Sequence, residues 1–158
     1  MSLEERVVAL LKERKYFISA AESCTGGLFL ASLINVSGAS DVIKEGFITY
    51  AEEAKQKRLG VKPETLSKYT AVSEQTAREM AEGLQAVTGA DVAVSITGLA
   101  GPGGGTEEIP VGTVFVGCCC KEFVTIKELH LEGSRLQIRQ AAVEAALGLV
   151  EQCLQECS

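Results

Sequence analysis

The sequence predicts an α/β protein with three layers, in which helices cover both faces of a mixed central sheet. Helical and strand-like segments alternate in the first half of the chain, and several apolar runs bounded by turn residues are typical of strands covered on both sides. The chain has 158 residues, of which 46% are hydrophobic and 23% charged. This size and composition suit one ordinary domain, which we take to span residues 1–158.

The first half of the chain contains five predicted elements. Apolar residues at helical spacing indicate an amphipathic helix that ends near Lys15, and the apolar run 16–21 indicates a buried strand. A helix follows Gly27, a second strand covers 46–50, and a short helix with a charged face covers 51–59.

The second half contains another helix, three strands and a final helix. Ser73 precedes a helical run that stops at Gly89, a residue typical of helix C-termini. Residues 91–97 form a continuous apolar run and predict a buried strand. Strands are then predicted at 111–120 and 123–131, joined by a tight turn and therefore antiparallel, and the last helix runs from about Ser134 to Gln155.

Charge and cysteine usage exclude several classes of protein. The net charge of −6 argues against nucleic acid as the main partner, and the sequence contains no apolar run long enough to span a membrane. The first residues alternate charged and apolar side chains, so we expect no secretory signal. Of six cysteines, three are contiguous, which favours reduced thiols in a cytoplasmic protein over a disulfide framework. With a single histidine and no CxxC motif, we expect no metal site.

The first candidate site lies where a strand gives way to a helix, at Ser23 and the sequence Thr25-Gly26-Gly27. Free backbone N–H groups and the helix dipole at such a junction favour an anion or a developing oxyanion. The alternative is that Ser23 or Thr25 only caps the helix and that the glycines only allow a tight turn.

A second glycine loop follows the most strand-like run of the chain. Open α/β sheets place ligands beyond the carboxyl ends of their strands, and glycines permit close approach of the backbone to a ligand. We expect this loop to bind substrate through Gly98, Gly101, Gly103 and Gly104. Its spacing matches neither a P-loop nor the dinucleotide fingerprint, and the alternative is a flexible connection without function.

A lysine is the candidate activator of Ser23. Tyr50 ends its predicted strand and Lys55 follows five residues later, so the phenol and the amine can share one cleft. Burial can lower the pKa of a lysine enough for it to act as a base. The only histidine, His130, lies far along the chain from both loops, so Ser-Lys chemistry fits this inventory better than a Ser-His-Asp triad.

Two arginines at the start of the last helix are candidate anion ligands. Arg135 and Arg139 are four residues apart, so their guanidinium groups can point the same way and suit a phosphate or a carboxylate. The alternative is an exposed, solvated pair.

Five segments together resemble one family: residues 22–27, 46–61, 71–83, 94–116 and 133–142. The chain is identified from them as similar to the C-terminal domain family of the competence-damage protein CinA, whose members act as nicotinamide-nucleotide amidohydrolases. Each motif is weak alone, whereas their order and spacing are specific. Many members carry a further N-terminal domain that resembles molybdopterin-binding proteins, and we do not expect that domain here.

The resemblance implies hydrolysis of the carboxamide of nicotinamide mononucleotide, with recycling of pyridine nucleotides and without a metal or organic cofactor. Carried over by position, Ser23 resembles the nucleophile, with Tyr50 and Lys55 as its activating partners and Thr97 as the hydroxyl residue before the glycine loop. Arg139 and Arg135 match basic positions near the substrate. Relatives also suggest a homodimer. The fold it implies is the CinA C-terminal fold, consistent with the predicted class.

Two alternative functions stay open at this point. One is a nucleotide-binding module without catalysis, linked to competence or the DNA-damage response. The other is a serine amidase for a small unphosphorylated amide. The cysteine triplet carries no assigned function.

Overall fold

The computed structural model describes residues 1–157, which fold into alternating helices and strands. The helices are α1 (Leu3–Arg14), α2 (Leu28–Ile34), α3 (Glu52–Leu59), α4 (Pro63–Tyr69), α5 (Glu74–Thr88) and α6 (Arg135–Glu156). The strands are β1 (Ile18–Glu22), β2 (Phe47–Ile48), β3 (Val92–Gly98), β4 (Thr113–Cys120) and β5 (Phe123–His130), and a single 3₁₀ turn covers Ala39–Asp41.

The strands form one mixed sheet in the order β2-β1-β3-β4-β5, so the predicted class is confirmed. The strands β2, β1 and β3 are parallel, whereas β3, β4 and β5 pair antiparallel. The antiparallel part follows from the tight turn between β4 and β5, while the parallel part needs the helical crossovers that the alternation predicted.

Helices cover the sheet on both sides and enclose two apolar cores. The larger core lies under α1, α2 and α6, and includes the fully buried Phe29, Ile96 and Leu147. The smaller core lies under α3, α4 and α5, and includes Leu59 and Met80. Burial on both faces explains why β3 and β4 are buried along almost their whole length.

Two helices begin or end at the residues that the sequence predicted. The Ser73 hydroxyl accepts the N–H of Thr76 at 3.1 Å, and Gly89 ends α5 in the left-handed conformation. Ser134 begins α6 with a capping box in which the Gln137 side chain accepts the N–H of Ser134.

The structure differs from the sequence expectations in two places. Helix α4 was not predicted, although Pro63 at its first turn is a favoured start residue. Strand β2 has only two residues, because the chain turns away after Thr49, whose N–H still donates to Glu22 O at 2.9 Å.

The parallel part of the sheet brings two predicted loops together. Strands β1 and β3 are neighbours, so the segment after Glu22 and the segment after Gly98 leave the same edge of the sheet. The N–H of Ser23 donates to Ile96 O at 2.9 Å, which fixes the first residue of one loop against the strand that leads into the other. The Ser23 loop and the glycine loop therefore lie together at the carboxyl edge of the sheet.

A close contact between α5 and α3 gives the first testable prediction. A methyl group on Gly83 would lie 1.8 Å from Leu59 O, the last residue of α3, whereas one on Gly148 in α6 would meet nothing within 4 Å. We expect Gly83→Ala to lower the free energy of unfolding by about 1–3 kcal/mol or more through overpacking. Gly148→Ala should instead raise it by about 0.5–1 kcal/mol because alanine favours the helix.

Urea denaturation of the two variants measures both effects. The residue change is the same and both positions are inside helices. Helix propensity alone would therefore raise the free energy of unfolding of both variants. An unchanged or raised stability of Gly83→Ala would contradict the packing described for α3 and α5.

Candidate active site

A small cleft opens at the carboxyl edge of the sheet, with a volume of about 210 Å³. Its walls come from the start of the Ser23 loop, from the β2–α3 junction, from Ala71 and Val72 between α4 and α5, from the glycine loop after β3, and from Arg135. Five separate parts of the chain thus meet here. Among the predicted site residues, those that line the cleft are Ser23, Tyr50, Lys55, Thr97, Gly98, Gly101, Gly103 and Arg135.

The amine of Lys55 contacts the hydroxyl of Ser23 at the bottom of this cleft. The distance from Lys55 Nζ to Ser23 Oγ is 3.1 Å, and the two residues are 1% and 7% exposed. Lys55 Nζ also donates to two backbone carbonyl oxygens, Thr49 O at 2.8 Å and Tyr50 O at 3.2 Å. The amine therefore has a fixed position beside the hydroxyl.

Helix α3 buries Lys55 because this residue occupies the inward face of the helix. The inward-facing positions of α3 are Lys55 and Leu59, one turn apart, while most of the helix is exposed. A lysine thus stands where the helix pattern calls for an apolar residue.

Burial lowers the pKa of Lys55 below its ordinary value, and the nearby Glu52 carboxylate opposes this only in part. No carboxylate is hydrogen-bonded to the amine, whose partners are a hydroxyl and two carbonyls. The neutral form of this amine is consequently reached at a lower pH than for a surface lysine, and in that form it can accept the proton of the Ser23 hydroxyl.

Cys24 lies beside Ser23 and also lines the cleft, but its chemistry differs. Burial raises the pKa of the Cys24 thiol to about 11. The thiol therefore stays protonated near neutral pH, and Ser23 is the better candidate nucleophile of the two.

A buried carboxylate organises the loop that carries Ser23. Glu22 is 1% exposed and accepts three hydrogen bonds: from Thr25 Oγ1 at 2.7 Å, from Phe29 N at 2.8 Å and from Leu30 N at 3.1 Å. The chain from residue 23 to residue 28 thus wraps around this carboxylate, which also satisfies N–H groups in the first turn of α2. Sequence reasoning missed Glu22, although an acidic residue just before a helix start was a usable signal.

Arg139 holds the same loop from the outside. Its Nε donates to Cys24 O at 2.9 Å and its Nη2 donates to Thr25 O at 3.2 Å. Arg139 does not line the cleft, so its guanidinium serves the loop backbone in this structure. The resemblance places Arg139 near the substrate, and its binding role stays a prediction that these contacts do not support.

The glycine pair of the first loop also lies outside the cleft lining, as does the hydroxyl of Thr25. Gly26 and Gly27 both adopt positive φ, at 57° and 105°, which permits the tight turn into α2. Gly26 N donates to Ser23 O at 3.1 Å, so this N–H is already used. The structure thus gives Thr25, Gly26 and Gly27 a part in shaping the loop, and contact with substrate stays a prediction.

Some backbone N–H groups near Ser23 are already hydrogen-bonded, and these cannot bind an oxyanion. The N–H of Ser23 is occupied by Ile96 O. Within residues 1–157, the N–H groups of Cys24 and Thr25 have no hydrogen bond to another residue. The N–H of Gly27 is also without a partner in this part of the chain, but Cys24 and Thr25 directly follow Ser23, so their N–H groups are the candidate donors for a developing oxyanion.

Tyr50 contributes to the cleft in two different ways. Its backbone carbonyl accepts from Lys55 Nζ and, at 3.4 Å, from Ser23 Oγ. The residue is 62% exposed, and its phenol accepts from Arg135 Nη2 at 3.3 Å; among the described residues it makes no hydrogen bond to Ser23 or Lys55. The predicted role of the Tyr50 side chain in activating Ser23 has no hydrogen bond to support it.

Arg135 links Tyr50 to the glycine loop at the mouth of the cleft. Its Nη1 donates to Gly101 O at 2.7 Å while its Nη2 donates to the Tyr50 phenol. The side chain is exposed, so one charged group lies at the entrance where an anion could reach it. Of the two predicted arginines, Arg135 is the one in contact with the cleft.

The hydroxyl of Thr97 positions the part of the cleft wall formed by Ala71 and Val72. Thr97 Oγ1 donates to Ala71 O at 2.7 Å, which ties the end of β3 to the connection between α4 and α5. The glycine loop continues from there. Gly98, Gly101 and Gly103 line the cleft, whereas Gly104 does not.

His130 and the cysteines offer no competing site. His130 contacts Glu128 at 2.7 Å on the exposed edge strand β5 and does not line the cleft, so a Ser-His-Asp triad does not form. The six cysteines are free thiols. Over residues 1–157, no group of three or more His, Cys, Asp and Glu side chains is arranged to hold a metal ion. In the same part of the chain, no helix combines the length and the apolarity needed to cross a membrane.

Comparisons with known proteins identify the family of the chain. The family model described as the CinA C-terminal domain matches residues 1–154. A putative competence-damage inducible protein from Clostridium novyi is 55% identical over 93% of the chain, and a CinA-like protein from Kosmotoga olearia is 53% identical over 97%. The chain spans 36% and 37% of these relatives' own lengths.

Solved structures agree as well. A CinA superfamily protein from Klebsiella pneumoniae has a TM-score of 0.94 at 33% identity, covering 98% of this chain and 96% of its own. A competence/damage inducible protein from Agrobacterium tumefaciens has a TM-score of 0.93 at 40% identity, covering 97% of this chain and 93% of its own. The match is therefore one of sequence and of fold over nearly the full chain, and the chain belongs to the CinA C-terminal domain family.

Proposed function

We propose that the chain hydrolyses the carboxamide of nicotinamide mononucleotide to nicotinate mononucleotide and ammonia. The observation that carries this proposal is the 3.1 Å contact between Lys55 Nζ and Ser23 Oγ at the bottom of a cleft. An amide needs a strong nucleophile, and a serine hydroxyl becomes one only when a base takes its proton. The choice of nucleotide rests on the resemblance of the site motifs to amidohydrolases of this family.

The first half of the proposed reaction forms an acyl-enzyme. Lys55, in its neutral form, takes the proton from Ser23 as Oγ attacks the carboxamide carbon. The negative charge that develops on the amide oxygen is stabilised by the free N–H groups of Cys24 and Thr25. The protonated Lys55 then gives its proton to the leaving nitrogen, and ammonia departs.

The second half returns the enzyme to its starting state. Water attacks the ester formed at Ser23, with Lys55 as the base that removes a proton from the water. The tetrahedral intermediate collapses, nicotinate mononucleotide leaves, and Ser23 regains its proton from Lys55. Every proton transfer in this scheme uses the same buried amine, so no second side-chain base is needed.

Arg135 is the proposed partner of the substrate phosphate. Its guanidinium lies at the entrance, exposed on one side and fixed on the other by Gly101 O and the Tyr50 phenol. Since Arg139 donates to the backbone of the Ser23 loop instead, we assign that residue a positioning role. The resemblance placed both arginines near the substrate, whereas this proposal gives that place to Arg135 alone.

The homodimer and the cytoplasmic location stay predictions of the sequence. So does the absence of a metal or organic cofactor from the reaction, and the scheme above uses only side chains and backbone groups of this chain.

Replacing the proposed nucleophile and base gives the direct test of function. We expect ammonia release from nicotinamide mononucleotide by the wild type, a loss of at least ~10³-fold in kcat for Ser23→Ala, and a loss of roughly 10²–10⁴-fold for Lys55→Arg. Arginine keeps the positive charge but does not release a proton near neutral pH. A coupled assay for ammonia measures all three proteins.

Lys57→Met is the matched control, because Lys57 lies on the same helix and is exposed. It should retain wild-type turnover. Binding of the nucleotide without any ammonia release by the wild type would instead favour the non-catalytic nucleotide-binding module, and equal activity on nicotinamide would favour an amidase for unphosphorylated substrates.

The buried carboxylate of Glu22 gives a second prediction for this site. Glu22→Gln keeps the size and shape of the side chain but replaces one acceptor oxygen with an NH₂ group. That donor would face the N–H groups of α2, so the Ser23 loop loses hydrogen bonds that position it. We expect stability to fall by about 1–3 kcal/mol and kcat to fall at least ~10-fold, with a smaller change in KM.

Glu79→Gln separates a loss of stability from a loss of catalysis. The Glu79 carboxylate likewise joins two partners, Lys62 N at 2.9 Å and Thr65 Oγ1 at 2.5 Å, but it does not line the cleft. Glu79→Gln should be destabilised to a similar extent and keep its kcat. If Glu22→Gln also kept its kcat, the positioning role of Glu22 would be wrong.

A further inference from the structure

Four thiols gather between β4 and the last part of α6, at the end of this helix that is remote from Arg135. Alternation along β4 directs Cys118 and Cys120 toward the core under α6, while Cys119 belongs to the opposite core. On α6, Cys153 lies in the same core and Cys157 ends the helix one turn later. The proposed hydrolysis uses none of these residues.

The thiols form two contacts, one inside the core and one at its edge. Cys118 and Cys153 lie in the same apolar core in the interior, at 0% and 1% exposure. Cys120 and Cys157 form the outer contact, in which Cys157 Sγ donates to Cys120 O at 3.4 Å and both residues line one surface cavity. The outer contact differs from the inner one because Cys157 is partly exposed.

A surface cavity gives solvent access to this outer contact. Its volume is about 670 Å³, and Cys120, Cys157, Lys121, Phe123 and Glu156 line it. A small polar reagent can therefore reach Cys157 Sγ without opening the core. The inner pair has no such access and does not line the cavity.

Backbone contacts hold Cys157 in place beside its partner. Its N–H donates to Cys153 O at 2.8 Å, and its carbonyl accepts from the Arg14 guanidinium of α1. The residue itself is extended, with φ of −87° and ψ of 104°, so the chain leaves the helix here. These contacts hold Cys157 at the end of α6, with its thiol against the backbone of Cys120.

We propose that Cys157 and Cys120 are a redox modification site, in which a hydroperoxide converts the two thiols into a disulfide that fastens the end of α6 to β4. In the first step, the Cys157 thiolate attacks one oxygen of hydrogen peroxide, the O–O bond breaks, and the other oxygen leaves as water after taking a proton. Cys157 is then a sulfenic acid.

In the second step, Cys120 Sγ attacks Cys157 Sγ, the S–O bond breaks, and a second water leaves. The sum is two thiols and one peroxide giving one disulfide and two waters, so the peroxide supplies the two-electron oxidation. Burial raises the pKa of Cys120 to about 12, which assigns the first step to the more exposed Cys157.

The bridge would leave the proposed active site untouched. Helix α6 has 22 residues and is therefore about 33 Å long, with Arg135 at its first residue and Cys157 just beyond its last. The bridge would close a loop of roughly 40 residues and so restrict the unfolded chain. Oxidation should consequently change the stability of the protein rather than its turnover.

Oxidation of the reduced protein with hydrogen peroxide tests the proposal. We expect one intramolecular disulfide, seen as the loss of two hydrogen atoms per chain, and a rise in melting temperature of about 5–10 °C that a reductant reverses. Peptide sequencing by mass spectrometry under non-reducing conditions locates the bridge. The effect should be absent from Cys157→Ser, whose altered residue lies at the edge of the fold.

Cys119→Ala is the matched control, since its side chain faces the other core and the variant should still form the bridge. An equal rise in melting temperature of Cys157→Ser on oxidation, a bridge between Cys118 and Cys153, or disulfides between chains would each overturn the proposal. So would further oxidation of Cys157 to the sulfinic acid with no bridge in the wild type. This test is independent of the proposed amidase activity, because it measures mass and melting temperature.

Discussion

Burial of a lysine amine against a serine hydroxyl is the constraint on which the rest of this site depends. Lys55 is 1% exposed, and its amine is surrounded by oxygens that are uncharged. Removing an ammonium group from water without a hydrogen-bonded carboxylate disfavours its charged form. The same burial that makes Lys55 costly for the fold suits it to the proposed role of base, and the fold places its amine against the Ser23 hydroxyl.

Two charged side chains hold the Ser23 loop from opposite sides. The Glu22 carboxylate lies inside the loop and gathers a hydroxyl and two N–H groups, while the Arg139 guanidinium lies outside and gathers two carbonyls. Each charge is satisfied by the polarity of the backbone that it meets. The result is a loop in which the N–H groups of Cys24 and Thr25, the proposed oxyanion donors, directly follow Ser23 and have no partner among the described residues.

The sequence predicted the class of fold and the central pair of the site, because both depend on regular features. Periodicity gave the helices and buried strands, and neighbouring parallel strands bring Ser23 and the glycine loop to one edge. What it missed depends on side-chain direction. The spacing of Arg135 and Arg139 does not show that Arg135 faces the cleft and Arg139 the backbone of the Ser23 loop. Nor does the sequence show that the Tyr50 phenol contacts Arg135 and not Lys55. A short helix such as α4 has too few residues to show a period.

The most direct test of this account is the titration of Lys55 itself. Carbon-13 labelling of the lysine side chains, with Lys55→Arg used to assign the signal, allows the Cε resonance of Lys55 to be followed by NMR as pH is raised. The account predicts that Lys55 loses its proton at a lower pH than the exposed lysines, so that the neutral amine grows in as pH rises while the others remain charged. Titration of Lys55 together with the exposed lysines would contradict it, since no buried base would then stand beside Ser23.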